Sequence, residues 1–566
     1  MKRITAVLLS LALVFSLTAS ALAADGENTA ELKIAVASDL HYNQPEEELE
    51  WLTDDPVYGY ASRRAAMENE SGFIIDSFLE DCEDNGCDYV LISGDLADNG
   101  RRLIEEHENV AAKLAAFEEK TGKQVFVIDG NHDLGAGDSA TDIAAFKRIY
   151  ADFGYDRALE VMEDNCSYTA DLGDKYRLIA LDSCDPTVST EDGMTRDKVS
   201  WACAQADKAY EQGRYPILMM HHNLLDHMPA QRILSHDFII RNHQMTAAEF
   251  ASHGIRIVLT GHEHCSDAAK YISARGDVIY DFATTSLTMY PLAYRLFTFG
   301  DDEIKYASKN IEKIDTAALS GAVDGYTDEQ LALMDEDLTA YSKSFLKAGI
   351  RYRLSLSLSM EKMGIEESSP FYGLVSTAVG GLTGILEMPL YGENSAQSLA
   401  AEYGIDLPET DYADGWDLAT ELVGYHYSGE EPFDMDSDEV TLLLKLVALI
   451  LQDDLANVND SVFLSAANKL TGGRGISVPL TKAASRIYGG VTAGEYFLLA
   501  VASPILEGFG CDTDGVNDNN GTLPGYGAEL SRTETAREKA GEGAKEILRN
   551  IYLFLRYILR IFRVII

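Results

Sequence analysis

Eight short runs rich in Val, Ile and Leu recur between residues 32 and 299, and they limit the folds open to this chain. They are LKIAVAS (32–38), DYVLIS (88–93), QVFVID (124–129), YRLIALD (176–182), PILMMH (216–221), IRIVLT (255–260), VIYDFA (278–283) and YRLFTF (294–299). None alternates cleanly between apolar and polar residues, which is the pattern of strands buried on both faces. Amphipathic stretches of helical length, such as 62–83 and 103–120, lie between them. A chain written this way predicts a βα-alternating, mostly parallel α/β domain over residues 31–315.

Beyond residue 315 the pattern changes. Residues 327–348 and 436–458 read as helices, and the apolar centre of the second, Leu442 to Leu451, is too short and too flanked by aspartate to span a bilayer. RLSLSLSM (353–360) alternates like a strand, and its state stays open. A mainly helical second domain is expected over 320–545. Two or three domains suit a chain of 566 residues, and 46% apolar content is enough for real cores.

The N-terminus has the form of a secretory signal: Met1-Lys2-Arg3, an apolar run from Ile4 to Leu17, then Ala21-Leu22-Ala23. Cleavage after Ala23 is expected, and the mature protein is expected to be exported, as a secreted or cell-surface protein. Seven cysteines (82, 87, 166, 184, 203, 265 and 511) are too few and too scattered for a disulfide scaffold. Cys82 and Cys87 are close enough in sequence to pair, but buried free thiols are the preferred reading. No CxxC pair exists, so thiolate metal chemistry is not expected. A formal charge of −46 argues against binding a nucleic-acid polymer, which needs clustered Lys and Arg. An anionic substrate would need local positive charge, which bound metal ions can supply.

Five of the runs end in groups able to hold a metal. They deliver Asp39-Leu40-His41, Gly94-Asp95, Gly130-Asn131-His132-Asp133, His221-His222 and Gly261-His262-Glu263-His264. In an open α/β sheet the carboxyl ends of the strands form the ligand edge, so residues far apart in sequence can converge there. Asp, Asn and His without Cys suit Mn, Fe, Zn or a similar divalent ion. Asp39 and His41, one residue apart, would point the same way along a strand and grip one ion. A turn could split His262 and His264 between two ions. Seven ligand positions exceed the needs of one ion, and a carboxylate bridging two ions about 3.5–4 Å apart accounts for the surplus.

This ordered set, Asp39-x-His41, Gly94-Asp95, Gly130-Asn131-His132-Asp133, His221 and Gly261-His262-x-His264, resembles the calcineurin-like metallophosphoesterase family. The resemblance covers residues 31 to 315. It implies a four-layer α-β-β-α sandwich and a binuclear centre, with Asp39, His41 and His264 on one ion, Asn131, His221 and His262 on the other, and Asp95 bridging. It also implies that His132 is a non-ligand histidine that contacts phosphate and assists the leaving group. The expected function is a secreted phosphoesterase that hydrolyses small phosphomono- or phosphodiesters by in-line attack of a metal-bridging hydroxide. The alternative is a catalytically silent cell-surface binding or scaffold protein on the same fold, and the complete ligand set favours the enzyme.

His221 and His222 are neighbours, so one of them faces the site. The family pattern favours His221 and leaves His222 as a supporting or packed residue. Asp133 either orients His132 or caps the next helix. Asp98 stands where the purple acid phosphatases need tyrosine, and Asp133 where the 5′-nucleotidase branch usually has Glu. CDTDGVNDNNG (511–521) has its glycines at the wrong offsets for an EF-hand and reads as a flexible acidic loop. In the last segment, 546–566, Arg549, Arg556, Arg560 and Arg563 share one helical face. It reads equally as a basic amphipathic helix in peripheral contact with a membrane and as a terminal helix packed on the second domain.

Overall fold

Each of the eight apolar runs forms a strand. In a six-stranded sheet, β1 (Leu32–Ala37), β2 (Tyr89–Ile92) and β3 (Gln124–Val127) run parallel, while β11 (Ala293–Phe299), β12 (Glu303–Asn310) and β13 (Asn520–Pro524) extend it antiparallel from β1. In a seven-stranded sheet, β6 (Tyr176–Ala180), β7 (Tyr215–Met219), β8 (Ile257–Thr260) and β10 (Val278–Ala283) form a parallel centre. There β4 (Glu160–Val161) and β5 (Tyr168–Leu172) flank one side and β9 (Asp267–Ile272) the other, all antiparallel. The expectation of a mostly parallel architecture is therefore corrected: the second sheet has a parallel centre and antiparallel margins, while the first is parallel over β1–β3 and antiparallel from β1 through β13. The margins include short or polar-rich strands that carry no continuous apolar run. The computed structural model describes residues 31–45, 65–187, 192–228, 231, 236–273, 275–357, 376, 380, 383–432, 437–453 and 515–526. The signal segment 1–23, Cys511 and the terminal segment 546–566 lie outside them.

Side-chain alternation in the second sheet sorts its residues between two cores. Leu178, Ala180, Ile217, Met219, Ile257, Leu259 and Phe282 join β1–β3 in the larger one, which fills the space between the sheets. Their neighbours Ile179, Leu218, Met220, Val258 and Ile279 pack against Val199, Ala202 and Ala206 of α4 (Arg196–Glu211) and Phe250 of α5 (His243–Ser252). On the first sheet lie α1 (Ser71–Asp84) and α2 (Ile104–Thr121), followed in the chain by the short α3 (Ile143–Ile149). In α1 the buried Ile74, Ile75, Phe78, Leu79 and Cys82 follow helical spacing, and Phe78 meets Tyr294 of β11 edge-on at 5.1 Å. The result is a helix–sheet–sheet–helix sandwich.

The boundary expected near residue 320 does not coincide with a break in packing. Leu319 of α6 (Thr316–Ala322), Met334 of α7 (Asp328–Glu336) and Tyr341 and Phe345 of α8 (Leu338–Ser357) belong to the same core as the two sheets. Helix α8 also resolves the alternating stretch, which is helical as far as Ser357. A separate cluster of Leu390, Leu418, Leu442, Leu446 and Leu449 gathers α9 (Ala396–Glu402), α10 (Gly415–Ser428) and α11 (Asp438–Asp453). Among the described residues no helix is long and apolar enough to cross a membrane.

The span expected to be helical over 320–545 also contains β13, which returns to the first sheet. The guanidinium of Arg295, wholly buried, explains the return: it donates to the carbonyls of Ala283, Asp267 and Asp518 and to Ser266 Oγ. A buried guanidinium needs such acceptors, and Asp518 supplies one from the returning chain. Residues 515–521 are thus ordered against the sheet, with Asp518 Oδ1 accepting from Ala268 N at 2.9 Å, rather than forming the flexible acidic loop expected there.

Candidate metal centre

The parallel strands of both sheets present their carboxyl ends along one edge, and the backbone knits those ends together. Asp39 N donates to Gly94 O at 3.0 Å, His41 N to Asp95 O at 2.9 Å, and Gly261 N to His221 O at 2.9 Å. Gly94 has φ +103°, and a Cβ there would lie 2.6 Å from His221 Nδ1, so both its conformation and its space require glycine. Asp39 and His41 do not lie on a strand, as the one-residue spacing suggested. β1 ends at Ala37, and both residues adopt left-handed backbone with φ of 51° and 41°. Asp95, His262 and His264 do the same, at 49°, 68° and 60°. Backbone strain of this kind persists where surrounding contacts dictate it, and it gathers at functional sites.

Two groups of side chains result. Ligand atoms of Asp39, His41 and His264 lie within 4.8 Å of one another, as do those of Asp95, His221 and His262. Asp95 Oδ2 joins the groups, 3.7 Å from His41 Nε2 and 3.4 Å from His221 Nε2. Asn131 Oδ1 is 2.9 Å from His221 Nε2. All seven residues named as candidate ligands therefore converge. His132 stands beside them, its ring edge-on to His41 at 4.8 Å and its side chain 34% exposed.

The polar atoms of this cluster fit cations. His41 Nε2 and His264 Nε2 face each other at 3.1 Å. Their other ring nitrogens are turned to acceptors, His41 Nδ1 to Asp98 Oδ1 at 3.2 Å and His264 Nδ1 to Met289 Sδ at 3.0 Å. If both rings are neutral with their protons on Nδ1, two lone pairs confront each other, so the pair calls for a positive charge between them, a metal ion or, in its absence, a proton on His41. His221 Nδ1 donates to Ser93 O at 2.9 Å, which likewise leaves Nε2 to face Asn131 Oδ1. Asp39 Oδ1, His41 Nδ1, Asp95 Oδ2 and His262 Nε2 are buried and make no hydrogen bond among the described residues. Atoms left this way are costly unless an ion meets them.

The electrostatics agree. Burial opposes charge on His41, yet the close Asp98 carboxylate, 3.2 Å from Nδ1, and the charges of Asp95 and Asp39 push it up to about 9. Burial likewise opposes charge on His221, which Asp95 and Asp39 push up to about 10. Asp95, although buried, is held well below the ordinary carboxylate range by His221, His132 and His41. The cluster is a negative well that favours cations.

Around it, several residues support the cluster. Asp133 neither orients His132 nor caps a helix. Its carboxylate accepts from Ala97 N at 3.0 Å and Gly130 N at 2.7 Å, pinning the two loops that carry Asp95 and Asn131. Burial and the nearby Asp95 charge raise it to about 8. His222 is buried, with Nδ1 2.9 Å from Ser183 Oγ and its ring 4.4 Å from that of His262. Asp98 is the residue sequence reasoning missed, having been read only as a non-tyrosine. Its carboxylate pairs with His41, and its carbonyl accepts from His132 Nδ1 at 2.8 Å. An acidic residue three positions after Asp95, on the same loop, was the available signal.

Residues 32–266 match the family model described as calcineurin-like phosphoesterase. No curated protein matches the sequence. Among solved structures, a dimetal phosphatase from Danio rerio is similar over 50% of this chain and 96% of its own, with 10% identity and a TM-score of 0.36. A purple acid phosphatase from yellow lupin (Lupinus luteus) seeds is similar over 50% of this chain and 52% of its own, with 10% identity and a TM-score of 0.32. The NAD nucleotidase of Haemophilus influenzae covers 50% of this chain and 48% of its own, with 13% identity and a TM-score of 0.28.

Proposed function

We propose that this chain is an exported binuclear metal-dependent enzyme acting on small phosphomono- or phosphodiesters, a reading supported by the match of residues 32–266 to the calcineurin-like phosphoesterase model. Asp39, His41 and His264 would hold one divalent ion, Asn131, His221 and His262 the other, and Asp95 both. The observation that carries this reading is Asp95 Oδ2, buried, without a hydrogen bond among the described residues, and between His41 Nε2 at 3.7 Å and His221 Nε2 at 3.4 Å. Divalent ions in these positions supply charge to neutralise a phosphoryl group and acidity to activate water.

The chain's own residues have separate tasks. His132 donates through Nδ1 to the Asp98 carbonyl, which fixes the ring and leaves Nε2 to serve a leaving-group oxygen. Asp98, Ser93 O and Met289 set the ring orientations of His41, His221 and His264, and Asp133 holds the two loops in register. The segment from Met1 to Ala23 supports export.

Hydrolysis of bis-p-nitrophenyl phosphate and p-nitrophenyl phosphate tests the proposal. Turnover is expected with Mn²⁺, should vanish on chelation and should return when metal is restored. The ratio of the two rates assigns diester or monoester preference. Equal rates with and without metal would leave the binding or scaffold reading in its place.

A further inference from the structure

Asp129, immediately before Gly130, is fully buried, and among the described residues neither of its carboxylate oxygens has a hydrogen-bond partner. In the binuclear cluster the same condition marks cation positions. One carboxylate oxygen of Asp129, one of Asp182 and the sulfur of Cys166 lie within 4.8 Å of one another, and all three residues are buried. Asp182 is held in place by the amides of Cys166 at 3.0 Å and Cys184 at 2.8 Å and by Lys198 Nζ at 3.1 Å. Neither Asp182 nor Cys166 is among the candidate binuclear ligands.

We propose that Asp129, Asp182 and Cys166 form a third cation site, for a divalent ion that accepts mixed oxygen and thiolate ligands, zinc foremost. Charge supports a divalent ion. Two carboxylates and a thiolate carry three negative charges, and Lys198 and a divalent cation carry three positive ones, so the buried cluster becomes neutral. A monovalent ion would leave net charge in the core, which is costly. Hydrogen bonds to Asp182 from two amides and a lysine are the outer partners that orient a ligating carboxylate. Asp129 follows β3 in the first sheet, while Cys166 precedes β5 and Asp182 follows β6 in the second. The ion would therefore tie the sheets together beside the loop that bears Asn131 and His132. Ligands drawn from three separate segments leave no spacing signature, so the missing CxxC pair does not exclude the site.

The binuclear set contains no sulfur, so thiolate absorption isolates this site. The full chain loaded with Co²⁺ is expected to show a near-ultraviolet sulfur-to-cobalt charge-transfer band. The band should persist in His262→Ala, which weakens the binuclear centre, and disappear in Cys166→Ser. Elemental analysis of Asp129→Asn should show one divalent ion fewer per chain than wild type. Cobalt-loaded wild-type protein without the band, or a band that survives Cys166→Ser, would overturn the proposal. Should the Cys166 variant fail to fold, the wild-type and His262→Ala spectra still decide: no band in either refutes the site.

Discussion

At the strand ends Asp39 Oδ1, Asp95 Oδ2 and His262 Nε2 are buried without hydrogen bonds among the described residues, and so is His227 Nε2, but both ring nitrogens of His227 lie beside carboxylates. Asp267 Oδ1 is 2.5 Å from His227 Nδ1, and Asp281 Oδ2 is 3.1 Å from Nε2. Asp281 is further held by Thr260 Oγ1 at 2.7 Å and by the amides of Leu224 and Leu225 at 2.7 and 2.8 Å. Both regions are built from buried Asp and His. In one, acceptors face donors, and the ion pairs serve the fold. In the other, carboxylate oxygens and ring nitrogens gather without such matched partners, an arrangement that fits cations. Residue type and burial do not separate these cases; the pairing of polar atoms does.

Substitutions in the two regions should therefore fail differently. The largest effect is expected for Asp95→Ala, which removes the carboxylate proposed to be shared by both ion positions. Ions there contribute several kcal/mol to the transition state, so the rate should fall about a thousandfold or more. Bound metal should drop below two binuclear-site ions per chain, and an undiminished metal content would break the comparison. His132→Ala should lower the rate by about 10²- to 10⁴-fold while leaving metal content unchanged. Its loss should shrink with an activated leaving group such as p-nitrophenolate.

His227→Ala should show the converse. Breaking a buried ion pair costs about 3–5 kcal/mol, visible in denaturant unfolding, with the surviving folded protein still binding metal. The gentlest test is pH. Asp281 and Asp267 outweigh burial and raise His227 well above its ordinary 6.5. A raised histidine contributes its full stabilisation below about pH 6.5 and loses it as pH climbs through the folded-state value. The stability gap between wild type and His227→Gln should therefore narrow toward alkaline pH. Metal loading at the strand ends should run the other way and weaken as pH falls, because protons compete for the ligands. Parallel pH trends in both regions would contradict the distinction.

Much of this was legible in the sequence, for local reasons. Continuous Val/Ile/Leu runs mark eight of the strands, and ligand-type residues directly after five of them mark the converging edge. The neighbours His221 and His222 could be told apart only by a resemblance, and the structure turns the first toward Asp95 and the second toward Ser183. The marginal strands were not legible. β9, DAAKYI, carries charge at its start and middle, and β13, NGTLP, reads as a turn until it pairs with β12, more than 200 residues away in sequence. Asp39 and His41 converge through a left-handed turn, a conformation that spacing along a strand does not predict. Asp133 and Asp98 act on backbone and on other side chains, so their roles emerge only when the loops meet.

Anomalous diffraction from crystals of the full chain grown with Mn²⁺ tests the central claim most directly. Two peaks about 3.5–4 Å apart, with the Asp95 carboxylate between them, are the expected result. A single peak, or a pair that Asp95 does not touch, would contradict it.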